Sequence, residues 1–337
     1  MSAPWTLLSA GVAAAAGTAV LLAYWMHVPS DHGELGNLAD VSMESPYNEK
    51  FWETSAYADL PLGKTHYFLL GPPDGKKVVF VHGISCPGPC FPTFFNKLAE
   101  RGYRVLVYDH YGRGYSSSPG MPHSQDLYVA QLALLLQKVG WTHFNIIGYS
   151  LGGAITAHFA AKYPEMVDRI VFIAPAGLMD QLPAISKVVR IPVFGPVLFH
   201  TLGRSLIAKA SKSNLTLKPE THEENAHLVR LNSFIIKHHP GFLRAYHSTV
   251  LHFDFCNSDV YFARIEETHT NKTMAIWGTL DRVVPYENST RLRKNMPSLR
   301  FVSKEGIGHS IVSELPLFCV DQIDAFLTNG AALGTAC

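Results

Sequence analysis

The stretch Gly148-Tyr149-Ser150-Leu151-Gly152 constrains this chain most, because it follows the apolar run 144–147 and opens a small-residue helical run over 153–161. Strand, sharp turn and helix in that order force a serine into strained backbone at the tip of a sheet. Residues two before and two after it must then lack bulk, so that neighbouring backbone can fit. Gly148 and Gly152 meet that need.

The surroundings extend the pattern. Lys77-Val78-Val79-Phe80-Val81-His82-Gly83-Ile84 reads as a buried strand ending in His-Gly, and Trp277-Gly278-Thr279-Leu280-Asp281 and Gly306-Ile307-Gly308-His309 follow downstream. Strand-like runs alternate with helical patterns at 94–100 and 129–136, which predicts an α/β chain with a parallel sheet covered on both faces. With 337 residues, 47% of them hydrophobic, the chain can bury one large core.

On these residues the sequence resembles the α/β-hydrolase superfamily, whose elements occur in this order, from about residue 65 to residue 328. The resemblance implies an α/β-hydrolase fold: a mostly parallel central sheet, helices on both faces and an inserted helical cap. It implies Ser150 as nucleophile, His309 as base and Asp281 as the acid that fixes the imidazole tautomer. Asp180, after the apolar run 171–175, is the alternative acid, because some members place it one strand earlier. The negative charge developing on the attacked oxygen needs backbone donors, which in this fold come from the residue after the nucleophile and from the first loop, here Leu151 and Ile84. His82 reads as a turn residue orienting that loop. Relatives that displace at carbon carry Asp at the elbow, whereas Ser suits acyl transfer.

Asp109-His110-Tyr111-Gly112-Arg113-Gly114-Tyr115-Ser116 is similar to the family's D-x-x-G-x-G-x-S loop and reads as a structural turn. G-x-G without a dinucleotide fingerprint or a phosphate-binding lysine gives no reason to expect a nucleotide, so no cofactor is expected. The five cysteines, Cys86, Cys90, Cys256, Cys319 and Cys337, show no zinc-like spacing and cannot all pair internally, so no metal is expected. Cys86 and Cys90 could bridge in an oxidising compartment. The net charge of +1 offers no field for nucleic acid, and nothing marks an obligate protein partner.

Residues 3–26 carry no charge. At roughly 24 residues this span is long enough to cross the ~30 Å hydrocarbon layer, and it predicts a single-pass N-terminal anchor over 1–27 in the endoplasmic reticulum or another endomembrane, with the side of the catalytic domain open. The rival reading, a cleaved signal peptide, lacks a positive n-region. A linker and N-terminal extension over 28–64, a hydrolase domain over 65–330 and a tail over 331–337 complete the division. Between the strands ending near Gly177 and beginning near Thr273 lie roughly a hundred residues, more than one crossover needs, which predicts a cap at about 178–268. From Gln181 through Pro219 this segment has no Asp or Glu but interleaves Lys and Arg with bulky apolar residues, as a membrane-surface segment would; packing over the core is the alternative.

The expectation is therefore a membrane-associated serine hydrolase of lipid-like acyl esters such as monoacylglycerols. It is similar to membrane-anchored monoacylglycerol lipases in the N-terminal span and in the acid loop Leu280-Asp281-Arg282-Val283-Val284-Pro285. Two alternatives stand beside it: a small-metabolite lactone or carbon–carbon bond hydrolase, and a catalytically silent binding protein on the same fold.

Overall fold

The computed structural model describes residues 16–18, 35–182, 184–192 and 194–329. Its strands are β1 (Ser55–Leu60), β2 (Gly63–Leu70), β3 (Lys76–Val81), β4 (Tyr103–Tyr108), β5 (Phe144–Tyr149), β6 (Val167–Ile173), β7 (Thr273–Gly278) and β8 (Arg300–Lys304). The α-helices among the described residues are α1 (Pro92–Glu100), α2 (Gln125–Val139), α3 (Leu151–Lys162), α4 (Ala184–Val188), α5 (Phe194–Ser213), α6 (Glu223–His238), α7 (Phe242–His252), α8 (Asp259–Thr268), α9 (Asn288–Asn295), α10 (Ile311–Glu314) and α11 (Pro316–Asn329).

The strands form one eight-stranded sheet in the order β1-β2-β4-β3-β5-β6-β7-β8. β1 and β2 make a hairpin, β2 runs antiparallel to β4, and every later pairing is parallel. The parallel part is built as a strand buried on both faces must be, from nearly unbroken apolar runs. Alternate residues serve opposite cores: Val78 and Phe80 join Val105, Ile147, Val171 and Ile276 on one side, with Phe94 and Phe95 of α1 and Ile323 of α11. Val79 and Val81 join Leu106, Ile146, Phe172 and Trp277 on the other, with α2, α3 and Phe262 of α8. Such two-sided burial of a mostly parallel sheet is the layering expected from the sequence. β1 falls inside the stretch read as linker, and Tyr47 before it is fully buried.

Helices α4 to α8 occupy the crossover between β6 and β7. Their inner residues, among them Phe199, Leu231, Ile235 and Phe242, extend the first core. Their outer face leaves Ile185, Ile191, Phe194, Leu202 and Leu206 exposed.

The single-pass anchor is corrected here. Among the described residues no helix is long and apolar enough to cross a membrane. Residues 1–27, apart from 16–18, lie outside the described residues. Absence of charge over a window is a statement of composition, whereas a span needs a continuous apolar helix of about 20 residues to satisfy its own backbone in hydrocarbon. The longest described helix, α5, carries Arg204, Lys209 and Lys212. The endomembrane localisation read from the N-terminus is withdrawn with the anchor.

Candidate active site

β5 is buried at every position and delivers the chain into the turn at Ser150, which has φ 57° and ψ −120°. Positive φ is a strained choice for a residue with a side chain, of order 1–3 kcal/mol, and persists only where the surroundings hold it. Here Ser150 N–H donates to Ile173 O at 3.0 Å, while its carbonyl accepts from Gly153 and Ala176, each at 2.9 Å. A Cβ on Gly152 would run into the Val81 and His82 carbonyls of the neighbouring strand end, and one on Gly148 would meet Thr156 and the Gly152 carbonyl. The glycines are thus what lets α3 start directly against β3.

The structure brings Ser150, His309 and Asp281 together. His309 Nε2 lies 2.9 Å from Ser150 Oγ, and His309 Nδ1 lies 2.7 Å from Asp281 Oδ2. Asp281 follows β7, and its Oδ1 accepts from the Val283 and Val284 amides at 2.9 and 3.0 Å. A carboxylate can only accept, so Nδ1 carries the imidazole proton and Nε2 is left to accept from the serine hydroxyl. Ser150, Asp281 and His309 are 7%, 4% and 8% exposed, so all three are buried. Asp180, the alternative acid, stands at the surface 3.9 Å from Arg291, away from His309.

The loop after β3 passes directly over Ser150: a Cβ on Gly83 would stand 3.3 Å from Ser150 Cβ. His82 orients this loop through both ring nitrogens. Its Nε2 accepts from the His110 amide at 2.9 Å, which leaves Nδ1 protonated and donating to Gly83 O at 2.7 Å. The bond is trans, so with the Gly83 carbonyl turned to His82 the Ile84 N–H points the opposite way. Burial, and after it the neighbouring His110, pushes the His82 pKa well down, keeping the ring neutral. Leu151 opens α3, so its N–H belongs to the first helical turn, which has no intrahelical acceptor.

Two contributors had no sequence signal. Tyr149 donates to the His309 carbonyl at 3.2 Å and stacks on its ring. Glu314, 1% exposed, accepts the Thr216 amide at 2.6 Å, and Thr216 Oγ1 accepts from Gly308 N at 2.7 Å, tying the cap to the His309 loop. Both roles depend on chain segments far apart in sequence.

A second set copies the same connectivity: Ser55 Oγ lies 2.9 Å from His66 Nε2, and His66 Nδ1 lies 3.1 Å from Asp109 Oδ2. That carboxylate oxygen also accepts from Tyr47 OH at 2.6 Å and the Tyr115 amide at 3.0 Å. Ser55 sits on ordinary strand backbone rather than an elbow. This network buckles the N-terminal extension to the sheet. The described cysteines are free thiols; the hydrogen bond with Cys90 draws the Cys86 pKa down. Among the described residues no group of three or more His, Cys, Asp or Glu is placed to hold a metal ion.

Comparison with known proteins agrees with this architecture. The sequence profile of the alpha/beta hydrolase fold family matches residues 76–315. A 2-hydroxy-6-oxononadienedioate/2-hydroxy-6-oxononatrienedioate hydrolase of a Pseudomonas species is 28% identical over 70% of this chain and 82% of its own. Among solved structures, the enol-lactonase of Burkholderia xenovorans superposes with TM-score 0.68 at 18% identity, covering 81% of this chain and 100% of that one. A bacterial membrane phospholipase A superposes with TM-score 0.63 at 20% identity, over 82% and 86%. At these identities the structural likeness carries the fold alone.

Proposed function

The chain belongs to the alpha/beta hydrolase fold family, and from that premise we propose that it is a serine hydrolase cleaving carboxylic esters of lipid-like acyl groups, such as monoacylglycerols, through an acyl-enzyme. The observation that carries the proposal is the pair of contacts made by one imidazole, 2.9 Å to Ser150 Oγ and 2.7 Å to Asp281 Oδ2, at a strained elbow. Ser150 Oγ attacks the ester carbonyl as His309 Nε2 takes its proton. Asp281 holds the imidazole in place and stabilises the imidazolium. The tetrahedral oxyanion is received by the Ile84 and Leu151 amides, and His309 then protonates the leaving alcohol. Water, activated by the same histidine, releases the acid and restores the serine.

A lipid-borne substrate is supported by the outer face of the cap, where Ile185, Ile191, Phe194, Leu202 and Leu206 stand exposed in a segment without acidic residues, as a surface that meets lipid would. Labelling by a fluorophosphonate probe tests the chemistry: wild type reacts at Ser150, and Ser150→Ala abolishes the label. Ser150→Ala and His309→Ala each lower kcat by roughly 10⁴–10⁶, and the double variant is scarcely worse, because the two act as a unit. Folded wild-type protein that takes no label refutes the proposal.

A second reading, hydrolysis of a small lactone or of a carbon–carbon bond, is supported by the name of the Pseudomonas relative. A panel of monoacylglycerols, short esters, lactones and β-diketones separates the two. A higher kcat/KM on lactones or diketones than on any glyceride favours the second.

A further inference from the structure

Arg113, in the loop between β4 and α2, is 1% exposed. Removing a guanidinium from water is costly unless a carboxylate accompanies it, yet among the described residues no acidic side chain pairs with Arg113. Its donors go to neutral groups on three separate pieces of the molecule. Nε donates to Ile84 O, Nη1 donates to Gly112 O at 2.9 Å, and Nη2 lies 3.5 Å from Thr249 Oγ1 of α7. The cation also stands 5.4 Å from the Phe242 ring and 5.9 Å from the Tyr246 ring, both on α7.

These partners join the oxyanion loop to the cap. His82 holds the carbonyl before the Ile84 N–H, and Arg113 holds the carbonyl after it, so that amide is fixed from both sides. Gly112, at φ 75°, lets α7 come flush against the loop that carries Arg113; a Cβ there would collide with Ala245. Thr249 gives its own proton to Ala245 O at 2.7 Å, which leaves its oxygen to accept from Arg113 and from Tyr128 OH, 2.8 Å away. The guanidinium thus touches α7 on one side and the Ile84 carbonyl on the other.

We infer that Arg113 is a positioning residue that sets the Ile84 half of the oxyanion hole according to how α7 of the cap is seated. The inference rests on the reading of Ser150 as an acylated nucleophile. A buried cation without a counter-ion burdens the fold, and its place between loop and cap gives that burden a use.

The test compares Arg113→Met, Arg113→Lys and Thr249→Val with wild type on a soluble p-nitrophenyl ester and on a fluorophosphonate, with thermal melts alongside. Oxyanion donors act in the transition state, so Arg113→Met should lower kcat and the labelling rate by roughly 10–100-fold while KM changes less than about threefold. Its Tm should stay level or rise, because a lone buried charge has gone. A merely structural arginine predicts the reverse, a lower Tm with activity falling only as folded protein is lost. Arg113→Lys keeps the charge but cannot span all three partners and should fall between. Thr249→Val should lower kcat by about three- to tenfold without changing the loop residues themselves. Arg113→Lys or Arg113→Met with wild-type kcat and labelling rate overturns the inference; should Arg113→Met fail to fold, the other two variants decide. Wild type that neither labels nor hydrolyses any ester overturns the acyl-enzyme reading and this inference together, whereas a labelled wild type with indifferent variants overturns this inference alone.

Discussion

Tyr149 and His309 are bound twice: the tyrosine hydroxyl donates to the histidine carbonyl at 3.2 Å, and the rings stack at 28° with centroids 5.1 Å apart. The residue before Ser150 thereby steadies the imidazole that meets the Ser150 hydroxyl. Tyr149→Phe keeps the ring and removes the hydrogen bond, so kcat should fall about three- to tenfold with a stability loss of about 1 kcal/mol. Steady-state kinetics and urea melts check both figures; an unchanged kcat would show that stacking alone holds His309.

Ser55 offers a control on what makes a serine reactive. It meets a histidine that meets an aspartate, as Ser150 does, but lacks the elbow. Ser55→Ala should leave esterase turnover within about twofold of wild type, since connectivity without a strained turn and oxyanion donors supplies little. Asp109→Ala should instead cost several kcal/mol, because Tyr47, His66 and the Tyr115 amide all lose their buried acceptor. Activity of Ser55→Ala and the Tm of Asp109→Ala are the readouts.

Acid should unfold this protein early. Burial holds His110, His123 and His239 at about 3, with Arg113 adding to the depression in each, and lowers His82 as well. In the unfolded chain these rings titrate near 6.5, so below that pH the unfolded state binds more protons. Their contribution is complete above about pH 6.5 and is lost as pH falls toward 3, at about 1.4 kcal/mol per unit for each ring. Urea midpoints at pH 7.5, 6 and 5 should drop steeply, and His239→Leu should flatten the slope. A midpoint constant from 7.5 to 5 would contradict this.

Gly152→Ala pushes a methyl into the Val81 and His82 carbonyls, which are strand-end backbone and cannot step aside. A loss above about 3 kcal/mol is expected, seen as poor soluble yield or a Tm lowered by several degrees. A variant melting with wild type would mean that α3 does not start where the elbow places it.

The elbow and the loop positions of Asp281 and His309 were legible because local demands write themselves locally: a turn that admits no Cβ must show glycine, and both residues stand on loops that follow apolar runs. The choice of Asp281 over Asp180 was not decidable from spacing, since both follow strands; only the fold turns one toward His309 and the other toward Arg291. Arg113, Tyr149 and Glu314 were invisible for a different reason, as each acts through partners far away along the chain. β1 escaped because a short edge strand has little periodicity to display. The N-terminal anchor, read from a long uncharged apolar span, finds no counterpart among the described residues, none of whose helices is long and apolar enough to cross a membrane.

Ser150 leaves the end of β5, which has β3 on one side and β6 on the other, while helices α4 to α8 all hang from the single excursion between β6 and β7. The turn and the excursion that overlies it are thus carried on separate parts of the chain. A strand flanked on both sides keeps the Ser150 hydroxyl seated through any fraying at the rim, and the excursion can differ in length or sequence without touching the backbone that holds that hydroxyl.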